Sequence, residues 1–223
     1  MTGSTETLMF TTFNFAFYLL MINLIVSLVF GFIYPNFRIF FAIEVIISLV
    51  AGIIYYLIIN ISKTATDFKS IDWAKITTLR YIDWSITTPL LLVSFTLFLS
   101  NGEKVKDLGI FIMKLIFFDL IMILSGYLGT INVLTTNWSL VIGFLAYFMI
   151  FYLIYQKFFQ GMKLTQDVSF KQILFIAIVI LWFIYGAIYN APMYNRNIIT
   201  NVLDGIAKGI FGLSLASYLI LHK

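Results

Sequence analysis

The feature that most constrains this chain is a series of apolar runs, each long enough for one helix to cross a lipid bilayer. A helix needs about 20 predominantly apolar residues to cover the hydrocarbon core. The runs are far longer than the ~10-residue alternating segments of a membrane β-barrel. We therefore predict an all-α membrane protein, a bundle of seven transmembrane helices at residues 8–32, 37–60, 73–99, 107–127, 134–156, 170–190 and 197–221.

The composition also favours a membrane protein over a soluble one. Of the 223 residues, 61% are hydrophobic and 11% are charged, and the mean hydropathy is +1.01. A soluble domain does not need so large an apolar share to bury one core. Turn-forming segments such as "YPN" and "SNGEKVKD" separate the runs. The uncharged join between the fourth and fifth runs, near Gly126 to Asn137, is the least sharply marked boundary. We expect a single domain over residues 1–223.

Basic residues predict how the helices are oriented. Seven spans place the two termini on opposite sides of the membrane, and cytoplasmic loops are enriched in Lys and Arg. The larger basic set falls on one face, at Arg38, Lys104, Lys106, Lys157, Lys163, Lys171 and Lys223. The smaller set falls on the other face, at Lys63, Lys69, Lys75 and Arg196. We therefore predict an extracellular N-terminus and a cytoplasmic C-terminus. The first run lacks the basic region and cleavage site of a signal peptide, so we expect it to be retained.

Several kinds of chemistry are excluded by missing residues. The chain has no cysteine, which rules out a disulfide framework, a thiolate nucleophile and a cysteine metal site. Its single histidine, His222, is the penultimate residue, so we expect no buried histidine relay and no zinc centre. The net charge of +4 is explained by the cytoplasmic basic residues and implies no nucleic-acid partner. We expect neither an enzyme nor a metal site.

Ionisable side chains inside the predicted spans are the informative residues. Each is costly at membrane depth when unpaired, so each should face a partner or a water-filled cavity. Lys114 lies about two turns from the cytoplasmic end of its span and can extend its ammonium group to the lipid headgroups. The full set is Glu44, Arg80, Asp83, Lys114, Asp119, Asp204 and Lys208.

The third and seventh spans each carry a polar face. On the seventh, Asp204 and Lys208 are four residues apart and share one side of the helix. One deep lysine thus has aspartates and an arginine available. The first interpretation is a buried ion-pair network that only fixes helix register. The second is an amine that forms a Schiff base with a carbonyl, balanced by the carboxylates. The stripe on the third span, at helical spacing, is Arg80, Asp83, Thr87 and Ser94.

These segments resemble the microbial (type 1) rhodopsins over essentially the whole chain. "RYIDWSITTPLLL" is similar to their third-helix signature, and "LDGIAK" is similar to the seventh-helix motif whose lysine bears retinal. Further matches are "DLIMILSG" in the fourth span and Trp182 and Tyr185 in the sixth. The resemblance implies that retinal, all-trans in the dark, is bound to Lys208 as a protonated Schiff base.

The same resemblance implies roles for the surrounding residues. Asp83 would be the primary counterion and proton acceptor, and Asp204 the secondary counterion. Arg80, just outside them, and Thr87, beside the Schiff base, would support the counterions. The retinal pocket would consist of Trp84, Thr88, Asp119, Met122, Trp182, Tyr185 and Tyr189. The threonine and the aspartate of that set should pair near the middle of the pocket.

Departures from the family's proton pumps bear on the activity. Ser94 stands where the pumps usually have a carboxylate that reprotonates the Schiff base, and a hydroxyl does not donate a proton near neutral pH. "NAPMYNRN" offers Arg196 in place of the pumps' extracellular release acids. Gly186 replaces the usual proline, so the kink of the sixth helix is not implied. The triplet Asp83, Thr87, Ser94 resembles the "DTS" pattern of rhodopsins from large algal viruses, some of which are light-gated cation channels.

Two further residues are candidates for an ion path. Glu44 lies about 12 Å from the cytoplasmic end of the second span, in the otherwise apolar window "FFAIEVIISL". It is either a protonated or paired glutamate, or a group that lines a hydrated cation path or donates a proton weakly. Asn201 either belongs to a polar path or is simply hydrogen-bonded. With Ser94 they make up the predicted ion path.

Our principal hypothesis is a retinal-binding photoreceptor that moves ions under light, as a light-gated cation channel. The alternatives are a light-driven outward proton pump and a photosensor that signals through a separate partner. The photosensor is less favoured because the sequence ends at Lys223 with no attached output domain. A seven-helix protein that binds no retinal is the least specific alternative. The expected partners are the lipid bilayer and monovalent cations or protons, and a homo-oligomer is compatible with the sequence.

Overall fold

Seven membrane-spanning helices make up the described part of the chain. The computed structural model describes residues 3–64, 68–100, 107–161 and 166–221. Within these ranges no strand occurs, and seven helices are long and apolar enough to cross a membrane, so this is an integral, multi-pass membrane protein. Five residues used in the sequence predictions lie outside the described ranges, namely Lys104, Lys106, Lys163, His222 and Lys223. The orientation of the termini stays a prediction.

The helices follow the predicted spans in order. The last of them is continuous but contains one π-helical turn, Gly205–Ile210, between α-helical Met193–Asp204 and Phe211–Leu221. Short 3₁₀ turns precede the second and third helices. The bounds are α1 Gly3–Ile33, α2 Arg38–Lys63, α3 Trp73–Ser100, α4 Leu108–Thr130, α5 Thr136–Phe158, α6 Gln166–Ala187 and α7 Met193–Leu221.

The main differences from the prediction lie around the sixth and seventh spans. The sixth span was predicted to reach residue 190, but α6 ends at Ala187, so Tyr189 lies in the turn that follows. The N–H of Ala191 closes that turn on the carbonyl of Ile188, at 2.9 Å. Pro192, the residue before α7, has no N–H to donate and disfavours helical backbone in the residue before it. The seventh span was predicted at residues 197–221, whereas α7 begins four residues earlier, at Met193, and contains a π turn that hydropathy does not report.

The uncharged join between the fourth and fifth spans is resolved by turn geometry. α4 ends at Thr130, and Asn132 adopts a left-handed backbone conformation with φ 58°. The Thr135 hydroxyl then caps α5 by accepting a hydrogen bond from the N–H of Trp138 at 3.4 Å. A left-handed asparagine and a threonine cap therefore define the boundary that charge did not mark.

The first of two compact units contains the residues up to Leu90 and those from Ile188 onward. It consists of α1, α2, the first part of α3, and α7, and α1 packs along both α2 and α7. The core follows helical periodicity, because apolar residues three and four apart share one face of a helix. On α1 this face is Met9, Phe13, Ala16 and Leu20, and on α2 it includes Ala51, Ile54, Tyr55 and Ile58.

The second unit, Leu91–Ala187, contains the end of α3 with α4, α5 and α6. Hydrogen bonds between helices hold it in addition to aromatic packing. The Ser139 hydroxyl donates to the carbonyl of Ser125 on α4, and the Tyr147 hydroxyl donates to the carbonyl of Val179 on α6, both at 2.7 Å. A Cβ at Gly186 would lie 2.6 Å from the Phe144 ring. The residue found where a proline was expected thus makes room for an aromatic side chain.

Glycines allow α7 to approach α1 closely. A Cβ at Gly209 would lie 3.0 Å from the Cβ of Leu19 and 3.3 Å from the backbone of that residue. A Cβ at Gly205 would lie 3.2 Å from the side chains of Leu19 and Phe15. Small residues bring helix backbones together in membranes, where dispersion contacts replace the hydrophobic effect.

We predict that Gly209→Ala lowers the melting temperature of the protein, whereas Gly109→Ala does not. Crowding against the α1 backbone should cost about 1–3 kcal/mol, since a backbone atom cannot move aside as a flexible side chain can. Gly109 on α4 has nothing within 4 Å of its added Cβ, so alanine there should be neutral or stabilising. Thermal unfolding of both variants in one detergent measures the difference, and equal melting temperatures would contradict the prediction.

Candidate functional site

Lys208 lies at the centre of a buried charge cluster formed by α3 and α7. Its Nζ is 2.5 Å from Oδ2 of Asp83 and 3.3 Å from Oδ1 of Asp204. All three residues are only 1% exposed. The two aspartates that the sequence singled out thus both contact the amine of the lysine that it singled out.

The position of Asp83 is fixed by the residue one turn further along α3. The Thr87 hydroxyl donates to the Asp83 carbonyl at 2.9 Å and to its Oδ1 at 3.3 Å. Such a bond to the preceding turn is a common conformation of threonine in helices. Oδ1 of Asp83 is therefore held by Thr87 while Oδ2 faces Lys208.

Lys208 itself belongs to the π turn of α7. The N–H of Phe211 is shared there between the carbonyls of Ile206 and Lys208. Single π turns inside α-helices are frequent at functional sites. The backbone of Lys208 consequently departs from the regular hydrogen-bonding pattern of the helix that carries it.

Arg80 lies one turn before Asp83, as predicted, and is held by side chains of α2 and α7. One guanidinium nitrogen lies 3.2 Å from the hydroxyl of Tyr55 and 3.5 Å from Oδ2 of Asp204. The other donates to Oδ1 of Asn201 at 2.5 Å and to Oδ1 of Asn197 at 3.2 Å. Asn201, predicted as part of a polar path, thus contacts the arginine directly.

The Arg80 cluster extends to α1 and includes residues that the sequence analysis missed. Nδ2 of Asn201 donates to the hydroxyl of Thr12 at 2.9 Å. Tyr55 donates to Oδ2 of Asp204 at 2.8 Å, and the Trp84 indole donates to its Oδ1 at 3.2 Å. The only sequence signals were a hydroxyl within an apolar run and an ordinary-looking aromatic residue.

Glu44 belongs to a second buried polar cluster, further along α7. It is fully buried, and Nδ2 of Asn23 on α1 donates to its Oε2 at 3.3 Å. The same nitrogen lies 2.9 Å from the Ser48 hydroxyl and 3.3 Å from the carbonyl of Lys208. A Cβ at Gly212 would lie 2.4 Å from Oε2 of Glu44, which places this cluster one turn beyond Lys208 on α7. Asn23 was missed because a lone amide in an apolar run predicts no partner.

The remaining predicted site residues are placed as follows. In the first unit, Thr88 is buried and donates to the Trp84 carbonyl at 2.7 Å, and the Tyr189 carbonyl accepts from Arg196 at 3.1 Å. In the second unit, Ser94, Asp119 and Trp182 are buried, while Met122 and Tyr185 are half-buried. The pairing of Thr88 with Asp119 stays a prediction. Lys114, expected to reach the headgroups, is exposed.

The chain is similar to known proteins along its length. The profile of the family described as "Bacteriorhodopsin-like protein" matches residues 7–221. The green-light absorbing proteorhodopsin of the gamma-proteobacterium EBAC31A08 is 30% identical over 152 residues, which cover 61% of this chain and 59% of that relative. The match therefore spans less than two thirds of the relative's length.

Solved structures extend the similarity to the whole fold. The crystal structure of viral rhodopsin OLPVRII superposes with a TM-score of 0.82 at 27% identity, covering 96% of this chain and 99% of that one. The crystal structure of Exiguobacterium sibiricum rhodopsin superposes with a TM-score of 0.80 at 27% identity, covering 96% of each chain.

We predict that Lys208→Met strongly destabilises the retinal-free protein. Removing the amine leaves Asp83 and Asp204 buried without their shared cation, which typically costs about 3–5 kcal/mol. Lys114→Met, which removes an exposed lysine, should have little effect. Adding Asp83→Asn to Lys208→Met should recover part of the loss, because one buried charge is then removed. Equal unfolding temperatures for the two single lysine variants would contradict an ion-pair cluster.

Proposed function

This chain belongs to the bacteriorhodopsin-like proteins, the microbial rhodopsin family, and we propose on that premise that it is a light-gated cation channel. The family binds retinal and consists of ion pumps and photoreceptors, not enzymes. Residues 1–223 would form a single retinal-binding domain that moves monovalent cations or protons across the bilayer under light.

We propose Lys208 as the residue that binds retinal. Retinal is an aldehyde, so its covalent partner in a protein is an amine. Lys208 is the only buried lysine among the described side chains, which makes the site fit a protonated Schiff base of all-trans-retinal. When bound, the chromophore supplies light absorption and a change of shape. Asp83 and Asp204 would balance the positive charge, at the distances they have from Nζ.

The neighbouring side chains have proposed roles in proton transfer and chromophore binding. Oδ2 of Asp83 would accept the proton from Nζ of Lys208, while Thr87 holds the other oxygen in place. Arg80 would keep Asp204 negatively charged through their ion pair. The residues proposed to line the polyene are Trp84, Thr88, Asp119, Met122, Trp182, Tyr185 and Tyr189.

The observation behind the channel proposal is that two chains of buried polar contacts meet at Lys208, one at its amine and one at its backbone carbonyl. Towards one end of α7 the first passes through Asp204, Arg80 and Asn201 to Thr12. Towards the other end, the second leads from the Lys208 carbonyl to Asn23, which contacts Ser48 and Glu44, with Ser27 nearby. These groups belong to a single compact unit. Polar groups at this depth are costly, so a path for ions accounts for their number.

Two positions, Ser94 on the third helix and Glu44 on the second, favour passive flow. Ser94 is buried and has no transferable proton, which removes the usual internal donor of a pump. Glu44 places a carboxyl group in the second chain of polar contacts, and a negative group in a narrow passage raises the local concentration of cations. A light-driven outward proton pump is the second candidate, supported by the same carboxyl group lying one amide away from the Lys208 carbonyl.

We predict that Asp83→Asn shifts the visible absorption band to the red and that the band is lost at a lower pH than in the unaltered protein. Removing the nearest negative charge makes the protonated Schiff base less stable. Absorption spectra recorded against pH measure both effects. Lys208→Ala, which removes the proposed attachment point, should have no visible band. An Asp83→Asn pigment with an unchanged spectrum and titration would assign the counterion role to Asp204 or another group.

We predict that photocurrents reverse sign near the equilibrium potential of the permeant cation, and that Glu44→Gln reduces them or changes their selectivity. The substitution keeps the shape of the side chain and removes its charge, so the retinal spectrum should stay nearly the same. Asp72→Asn, at an exposed carboxylate, is the matched control and should leave the currents unchanged.

The possible outcomes separate the candidate functions. Currents that stay outward at every voltage would overturn the channel and favour the pump. Currents that reverse but are indifferent to Glu44→Gln would retain the channel and remove Glu44 from its path.

A further inference from the structure

The cluster around Glu44 is built on one amide, that of Asn23. The Asn23 side chain comes from α1 and is fully buried. Its Nδ2 has three oxygen neighbours: the Ser48 hydroxyl at 2.9 Å, and Glu44 Oε2 and the Lys208 carbonyl at 3.3 Å each. The amide therefore links α1, α2 and α7, and it joins the backbone of Lys208 to the carboxyl group of Glu44.

The orientation of this amide follows from its neighbours. The Ser27 hydroxyl donates to Oδ1 of Asn23 at 3.5 Å, on the other side of the group. Turning the amide over would direct its oxygen at the Lys208 carbonyl, which can only accept a hydrogen bond. Nδ2 must therefore face the three oxygens. A carboxylate, a hydroxyl and a carbonyl are also the ligands that bind alkali and alkaline-earth cations. The three oxygens around Nδ2 are therefore of the kinds that bind a cation once the amide has moved away.

Gly212 shows independently that the cluster packs directly against the backbone of α7 and leaves no room for a side chain there. A Cβ at that residue would lie 2.4 Å from Oε2 of Glu44 and 2.7 Å from Nδ2 of Asn23. The backbone of α7 thus forms the wall of the cluster directly. The Lys208 carbonyl lies in the π turn and shares the N–H of Phe211 with the carbonyl of Ile206.

We propose that Asn23 is a gate on the Glu44 side of Lys208 and that it responds to the Lys208 backbone. In the dark its amide nitrogen fills the space between the three oxygens and holds the Glu44 carboxyl group in place. When the backbone at Lys208 moves, the Lys208 carbonyl releases the amide, and the oxygens become available to a cation. Asn23 is thus a positioning residue, and this role rests on the proposed channel function.

The chain provides a matched pair of variants for the test. Asn23→Ala removes the amide from the cluster. Asn14→Ala removes another amide of α1, whose Nδ2 donates only within its own helix, to the Phe10 carbonyl at 2.7 Å. An unchanged visible band shows that each variant folds and binds retinal.

The first measurement is the decay of photocurrent after the light is switched off. Asn23→Ala should close about tenfold more slowly than the unaltered protein, the equivalent of one lost hydrogen bond of about 1.4 kcal/mol, and should pass current in the dark. Asn14→Ala should close at the unaltered rate. Equal closing rates for the two variants would overturn the gate while leaving the channel, which is judged by current reversal, in place.

The second measurement decides the link to Glu44 even when the channel is wrong. Light-minus-dark infrared spectra should contain a carboxyl band that Glu44→Gln removes. That band should shift in frequency in Asn23→Ala and not in Asn14→Ala, because the Asn23 amide donates to Glu44 and the Asn14 amide donates within its own helix. A missing Glu44 band, or one that Asn23→Ala leaves unchanged, would overturn the coupling. Wild-type currents that fail to reverse would overturn the proposed channel, and with it the gate, but would leave this coupling to be judged by the infrared result.

Discussion

The rest of the structure depends on the need to balance a cation buried within a membrane. Lys208 is neutralised by one carboxylate from its own helix and one from α3. Each carboxylate then needs further donors, which Thr87, Tyr55 and Trp84 supply. Arg80 adds a second positive charge, so two cations face two anions and the described cluster is neutral. A neutral cluster whose carboxylates are paired and hydrogen-bonded is an arrangement that the hydrocarbon core tolerates.

The sequence was sufficient for the helices and for the charged centre. Long apolar runs have no alternative in a bilayer except helices, and Asp204 and Lys208 share a helix face by spacing alone. The π turn and the early end of α6 before Tyr189 were not predictable from hydropathy. Both depend on local backbone hydrogen bonds, which composition does not encode.

The sequence analysis failed to predict most of the side chains that hydrogen-bond to the charged residues. Thr12, Asn23 and Tyr55 lie in runs that look like ordinary membrane helix, and their importance appears only when α1 and α2 are packed against α7. Gly212 is similar, since nothing in its neighbourhood along the chain indicates that a methyl group there would meet Glu44. Polar contacts between helices are properties of the packing. The charged residues inside the spans can be identified from the sequence, whereas the groups that hydrogen-bond to them are determined by how the helices pack.

Two side-chain hydrogen bonds between α1 and α7 have a mechanical consequence. α1 is bonded to α7 through Thr12 and Asn201 at one point and through Asn23 and the Lys208 carbonyl at another. Along α1, an ordinary α-helix, these points are separated by about 16 Å. Along α7 the backbone between them enters the π turn, whose winding differs from that of an α-helix. Rewinding that turn would change the distance along α7 but not along α1. The two helices could then keep one of the bonds in register only by breaking or stretching the other.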